Sequence, residues 1–271
     1  MSNIVLTGKL RLQRTDSVAP KESEEKGTSL WADAYHRLLK NKLAVAGGIV
    51  LAIEFALCLV TPWIAPYGFE TQNLEMTYAA PSSTHWMGTD NLGRDLFTRV
   101  LYGGRVSLAV GLLASMVSML VGVIYGSVAG YLGGKTDSVM MRIVDIFYAL
   151  PFMFLVIILM VYFGRNIMLL FIALGLTQWL TMARIVRGQV ISLKQKEFVE
   201  AARAMGVKTR SIIFRHLIPN TLGPVIVYLT LTVPSVILEE AFLSFLGLGV
   251  QAPMASWGTL ISDGVSAMEQ A

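Results

Sequence analysis

Five stretches of about twenty residues, at 43–64, 106–131, 143–163, 167–185 and 222–248, run with few charges. Each is long enough to cross a hydrocarbon core of about 30 Å as an α-helix. No soluble core could absorb that much blocked apolar surface: 54% of the 271 residues are hydrophobic and 15% are charged, where a soluble globular chain carries about 25% charged residues. The expected fold class is therefore an all-α membrane protein with lipid as its solvent. A disulfide scaffold is excluded by the single cysteine, Cys58, and disorder by the apolar content. The first stretch is not a secretory signal, because some forty mostly polar residues precede it, it exceeds an h-region in length, and Glu54 lies inside it.

The basic residues give an expected orientation. Of the 22 Lys and Arg, eighteen lie in residues 1–42, in the connection holding Lys135 and Arg142, and in the connection from Arg184 to Arg215. Four lie on the other side: Arg94, Arg99, Arg105 and Arg165. Cytoplasmic loops keep positive charge, so the N-terminus is expected inside. The net charge of +4 thus flanks apolar blocks and forms no nucleic-acid footprint. Residues 29–42 put Leu30, Trp31, Ala34, Tyr35, Leu38 and Leu39 on one stripe, as an interfacial helix on the inner leaflet would, with an ordinary cytoplasmic helix as the alternative. Residues 1–28 read as a solvated tail.

Within the second stretch Gly122, Gly126, Gly130 and Gly134 recur at steps of four, a small-residue ridge that lets another helix approach closely. Pro151 and Pro234 fall inside the third and fifth stretches, where each permits a kink. Such spans suit a bundle that moves, although static membrane proteins contain them too. Glu54, in mid-span, is either protonated or turned toward protein, with a partner helix favoured over a proton relay. Of Glu239 and Glu240, at least one is expected to face an aqueous cavity and meet a cationic group of a substrate.

Two tempting motifs fail. Gly134-Lys135-Thr136 ends like a P-loop, but the required earlier glycine is Ala129 and a membrane span stands in place of the strand. His36, His85 and His216 are scattered and give no metal-ligand cluster, and no catalytic constellation is evident, so an enzyme is not expected.

The connection 194–220 is the most informative piece. Helix formers run from Glu197 to Met205, Gly206 can end that helix, and 207–217 reads as a second short helix stopped by Pro219. Ala201, Ala202 and Ala204 make a low-relief surface flanked by Glu200 and Arg203, suited to docking in another protein's groove. Glu200-Ala201-Ala202, then Gly206 after three residues, then His216-Leu217-Ile218-Pro219 after nine more, resembles the EAA loop of ABC importer permeases. It departs from Ile-x-Leu-Pro at His216 and Ile218. Two further stretches resemble the C-type permeases of peptide and nickel importers: His85 to Asp90 with Gly93-Arg94-Asp95, and Phe242 to Gly249 with Ser256-Trp257-Gly258. Finer matches at 29–34 and 262–269 resemble the oligopeptide branch.

The resemblance implies a type I ABC importer transmembrane domain with six spans, five visible here and the last beginning beyond Ala271. It divides the chain into a tail (1–28), an interfacial helix and first span (29–66), an external segment (67–100) and a permease core (101–271). It implies a bacterial cytoplasmic-membrane location and partners in the form of a second permease subunit, two ATP-binding subunits and an external peptide-binding protein. This chain would bind no cofactor, with ATP and Mg²⁺ held by the ATP-binding subunits. Glu200, Ala201, Ala202, Gly206 and Pro219 would carry coupling to those subunits, and Glu240, which matches a glutamate in the family's segment, would line the substrate path. The expected function is import of oligopeptides. Dipeptides or nickel chelates are the alternative cargo, and an ion-coupled carrier the alternative class.

Overall fold

The computed structural model describes residues 30–164 and 166–268. The tail 1–28, with Ser29, Arg165 and Glu269, lies outside them. Apart from one isolated antiparallel bridge between Thr89 and Asp95, regular structure among the described residues is helical. The chain divides into two compact units, one ending at Val50 and the other starting at Leu51.

The first unit holds α1 (Leu30–Lys40) and the opening turns of α2 (Lys42–Ile64). Asn41 separates them: its N–H bonds back to the Leu38 carbonyl at 3.0 Å, while its side chain accepts from the Ala44 N–H at 3.2 Å. Such a cap satisfies one of the orphan amides at a helix start. Tyr35, Leu38 and Leu39 are exposed.

The second unit is organised around α3 (Leu96–Leu132). This helix starts ten residues before the apolar stretch that announced it, because Asp95 caps it by accepting from the Thr98 N–H at 2.8 Å. It stops at Gly133, whose φ of +68° suits glycine. Gly134 therefore does not extend the small-residue ridge: it begins α4 (Gly134–Ala149), and nothing lies within 4 Å of where its Cβ would be. The ridge proper is Gly122, Gly126 and Gly130, facing α6 (Ile167–Leu193). A Cβ on Gly122 would come within 2.6 Å of Met182, and one on Gly130 within 2.9 Å of the Arg187 carbonyl. The two backbones are in contact, the arrangement that small residues permit in lipid.

The third apolar stretch bends sharply, by 83° at Leu150–Pro151, into two helices, α4 and α5 (Phe152–Phe163). Leu150 is pushed to an extended conformation by the proline that follows it, which ends α4. Alone, α5 is about 18 Å long, too short to cross the hydrocarbon. Among the described residues four helices are long and apolar enough to span a membrane, or five if the bent pair is one span.

Pro219 does not stop a short helix either. Between α7 (Glu197–Ala204) and α9 (Ile218–Phe245) lie one turn, α8 (Thr209–Ser211), and a π-helical segment, Ile212–Leu217, that runs straight into α9. The Ile218 N–H bonds to the Ile213 carbonyl, five residues back. The wider π turn loosens the register ahead of Pro219, where an α-helix would set its ring against a carbonyl. The helix also passes through Pro224 and Pro234 without a break. After it comes α10 (Trp257–Met268), packed on α9 and α3. The apolar core forms two main clusters, one where α3, α5, α6 and α9 meet and one that continues from α3 and α6 into α7 and the π turn.

Candidate functional site

The connection after α6 is a hairpin with a dry underside and an open top. Val199 and Ala202 are buried against Ile212, Ile213 and Leu217, against Val186 and Val190 of α6, and against Tyr131 at the end of α3. Ala202, 2% exposed, therefore belongs to the hairpin's core and not to its docking surface. Glu200, Ala201, Arg203, Met205, Gly206 and Pro219 are exposed. Helix α7 ends with paired bonds, Gly206 N–H to Arg203 carbonyl at 2.9 Å and Val207 N–H to Ala202 carbonyl at 3.0 Å. This C-terminal motif needs a left-handed residue after the cap. Gly206 has φ +74°, and the space beyond its Cα is empty to 4 Å. Its side of the hairpin is thus both conformationally fixed and flat.

The hairpin is tied to the span bundle through Tyr131. The Arg203 guanidinium lies 5.0 Å from that ring and donates to its hydroxyl at 3.2 Å, while the Lys194 ammonium lies 5.7 Å from it. Nearby, Arg187 of α6 clasps Asp137 of α4 through two bonds of 2.5 and 2.6 Å. A cavity of about 350 Å³ lies between these groups, lined by Gly130, Gly133, Asp137, Lys194, Glu200 and Arg203 among others. The sequence reading missed Tyr131. An aromatic residue at the end of an apolar run looks like part of the run.

The adjacent glutamates of α9 have opposite surroundings. Glu240, the residue expected to line a path, is 0% exposed. Its carboxyl accepts from Ser244 at 2.6 Å and Ser107 at 3.2 Å. Ser107 in turn accepts from the Trp257 N–H at 3.1 Å, and Ser256 lies 3.3 Å from Ser244. Glu240 thus closes a polar knot joining α3, α9 and α10, enclosed among the described residues. Glu239, one residue earlier and about 100° around the helix, turns toward a cavity of about 340 Å³ beside the Leu150–Pro151 break.

The segment 67–95, before α3, is organised by Asp90. One of its oxygens accepts from the Leu92 and Arg94 amides at 2.8 and 2.9 Å; the other takes the Arg94 and Arg99 guanidiniums at 2.7 and 2.5 Å. Arg99 reaches on to Asp263 of α10 at 3.2 Å. Burial pushes the Asp90 carboxyl up, but those amides and the Arg94 guanidinium outweigh it and hold it below its ordinary value. Asp95, besides capping α3, bonds His85 at 2.9 Å, and His85 stacks on Tyr67. The residues His85 to Asp95 are thus an internal clasp whose charges are spent on one another.

This arrangement defines a class: a helical membrane domain with an exposed-rimmed hairpin near one end of α3 and a braced segment near the other. Residues 122–268 match the family described as binding-protein-dependent transport system inner membrane component, and residues 29–81 match that described as the N-terminal transmembrane domain of oligopeptide transport permease C. An oligopeptide transport system permease protein of Haemophilus influenzae is 53% identical over 251 residues, covering 92% of this chain and 81% of the relative. One from Escherichia coli K12 is 52% identical, covering 91% and 82%. A dipeptide transport system permease protein of Bacillus subtilis is 51% identical, covering 86% and 73%. The chain belongs to the binding-protein-dependent inner membrane permeases, and its fold is the all-α membrane domain of a type I ABC importer.

Proposed function

We propose that this chain is the C-type permease subunit of an ATP-driven importer that moves oligopeptides across the bacterial inner membrane. A second permease subunit would complete the path, two ATP-binding subunits would hold ATP and Mg²⁺, and an external binding protein would deliver the peptide. ATP hydrolysis then belongs to the partners, and this chain converts their motion into movement of its spans. The observation that carries the reading is the hairpin of α7 and the π turn: a flat exposed rim at Glu200, Ala201 and Gly206 over an apolar underside continuous with α3, α6 and α9. A push on that rim is transmitted because no loose linker intervenes between Ser211 and Phe245.

The oligopeptide cargo rests on the two relatives of that name and on the match at 29–81. The similarity to a dipeptide permease keeps dipeptides as the second reading. Uptake by the complete transporter in proteoliposomes, with ATP inside and binding protein outside, tests both. Accumulation of tri- to pentapeptides that a tenfold excess of dipeptide does not suppress supports the first reading. Uptake suppressed by dipeptide and absent for longer peptides supports the second.

A further inference from the structure

We propose that the cavity beside the Leu150–Pro151 break is a station for a cationic group of the cargo, with the Glu239 carboxyl as its acceptor and Gln178 as the residue that positions it. The cavity measures about 340 Å³, within the range of small-molecule sites. Its walls are apolar and aromatic on the α4–α5 side, with Phe147, Tyr148 and Phe152, and polar on the α6–α9 side, with Thr177, Thr181 and Gln178 around Glu239. Gln178 donates to Glu239 Oε1 at 2.6 Å, which fixes the carboxyl's orientation. Glu239 Oε2 is buried and accepts no hydrogen bond from any described residue. The contrast with Glu240 is direct: there each oxygen is met by a serine.

Among the described residues no lysine or arginine lines this cavity. Arg184, three residues after Thr181, bonds Asp145 at 2.7 Å and lies over the Tyr148 ring at 4.3 Å. An acidic group inside a span turns toward protein or water, and irregular backbone at membrane depth occurs where it lines a cavity. Both features meet here. The ligand chemistry that fits is a compact multiple donor, which an ammonium supplies. On the importer reading, from which this proposal follows, that ammonium is the N-terminus of the peptide. A basic side chain from the second permease subunit is the competing occupant.

The test uses the complete transporter in proteoliposomes with Cys58→Ser and Thr181→Cys, and repeats with Thr177→Cys on the same wall. Alkylation of the introduced thiol by a cationic and by an anionic methanethiosulfonate is timed by mass spectrometry of this chain, each rate normalised to that with a free small thiol. The cationic reagent is expected to react about tenfold faster, as a neighbouring negative charge at intermediate dielectric would cause. The preference should collapse in Glu239→Gln and survive in Glu239→Asp. Trialanine with binding protein and ATP should slow the cationic reagent. Equal normalised rates, a preference untouched by Glu239→Gln, or no protection during measured trialanine uptake would each overturn the proposal. Absence of trialanine uptake with the charge preference intact would instead count against the peptide cargo, because the reagents report the cavity without it.

Discussion

The clasp before α3 and the hairpin after α6 sit roughly 50 Å apart along α3, and they solve the problem of placing charge beside a membrane domain in opposite ways. In the clasp, Asp90, Arg94, Asp95 and Arg99 are all buried, with both guanidiniums on Asp90 and with Asp95 bonded to His85 and the Thr98 N–H. In the hairpin, Glu200, Lys208, Arg210 and Arg215 stay exposed while the aliphatic residues beneath them hold the hairpin to the bundle. Buried, mutually satisfied charge makes a brace, whereas exposed charge over a dry base leaves a surface free for a partner. Substitutions should therefore harm stability in the first region and coupling in the second.

The largest effect is expected at the centre of the clasp. Asp90→Asn leaves Arg94 buried without its counter-charge and Arg99 with only its longer contact to Asp263, a loss of about 3–5 kcal/mol by the usual cost of breaking a buried pair. Thermal unfolding of the detergent-solubilised chain reads it, and a small change would mean the clasp is not a brace. The same carboxyl gives a pH signature. Because its folded value lies below the ordinary aspartate value of about 3.9, its contribution is complete above that value and is lost as pH falls through the lowered folded value. Melting temperature should be insensitive to Asp90→Asn in acid and sensitive near neutrality.

Next in size is the polar knot. Glu240→Ala removes the acceptor for Ser107 and Ser244 and opens a cavity where α3, α9 and α10 meet, for an expected loss of about 2–4 kcal/mol. If Glu240→Ala instead leaves stability intact and raises the KM for peptide, the carboxyl belongs to the path after all. Within the hairpin, adjacent alanines separate the two roles. Ala202→Asp buries a charge and should lower the melting temperature, whereas Ala201→Asp lies on the exposed rim and should leave it within about 0.5 kcal/mol of the parent while lowering peptide uptake. Equal melting curves for both would show that α7 packs by another face.

The four longest apolar helices were legible in the sequence because lipid leaves little choice: a charge-poor run of that length has to span. The first ten residues of α3 were not, since Arg99 and Arg105 make them look like loop, and only the Asp90 clasp accounts for a buried arginine there. Pro151 bends the chain where the sequence placed a kink, because the residue before a proline is driven to extended backbone. Pro219 misled: nothing in the sequence announces the π turn through which the helix runs on past it. Of the coupling residues, Glu200, Ala201, Gly206 and Pro219 stand exposed on the hairpin as the loop's composition suggested, and Ala202 turns inward. That Glu240 is enclosed by serines while Glu239 borders a cavity was not legible, because neighbouring helical positions point some 100° apart and the apolar residues on both sides give no moment to orient them. The serine partners at 107 and 244 are the signal available in principle, but only once the packing of α3 against α9 is known.

The account rests most on the exposed rim at Gly206 being the seat of the ATP-binding subunit. The direct measurement is retention of that subunit, identified by its mass, when this chain is affinity-purified with its transporter in mild detergent, comparing the parent with Gly206→Ala and Gly206→Asp. The space beyond Gly206 is open, so both variants carry a similar left-handed backbone penalty of about 1–2 kcal/mol, and they differ chiefly in placing a charge on the rim. The account predicts that Gly206→Ala keeps most of the ATP-binding subunit and that Gly206→Asp loses at least nine-tenths of it, about a tenfold weaker association or 1.4 kcal/mol, with the second permease subunit still bound. Full retention in Gly206→Asp, with peptide uptake intact, would contradict it.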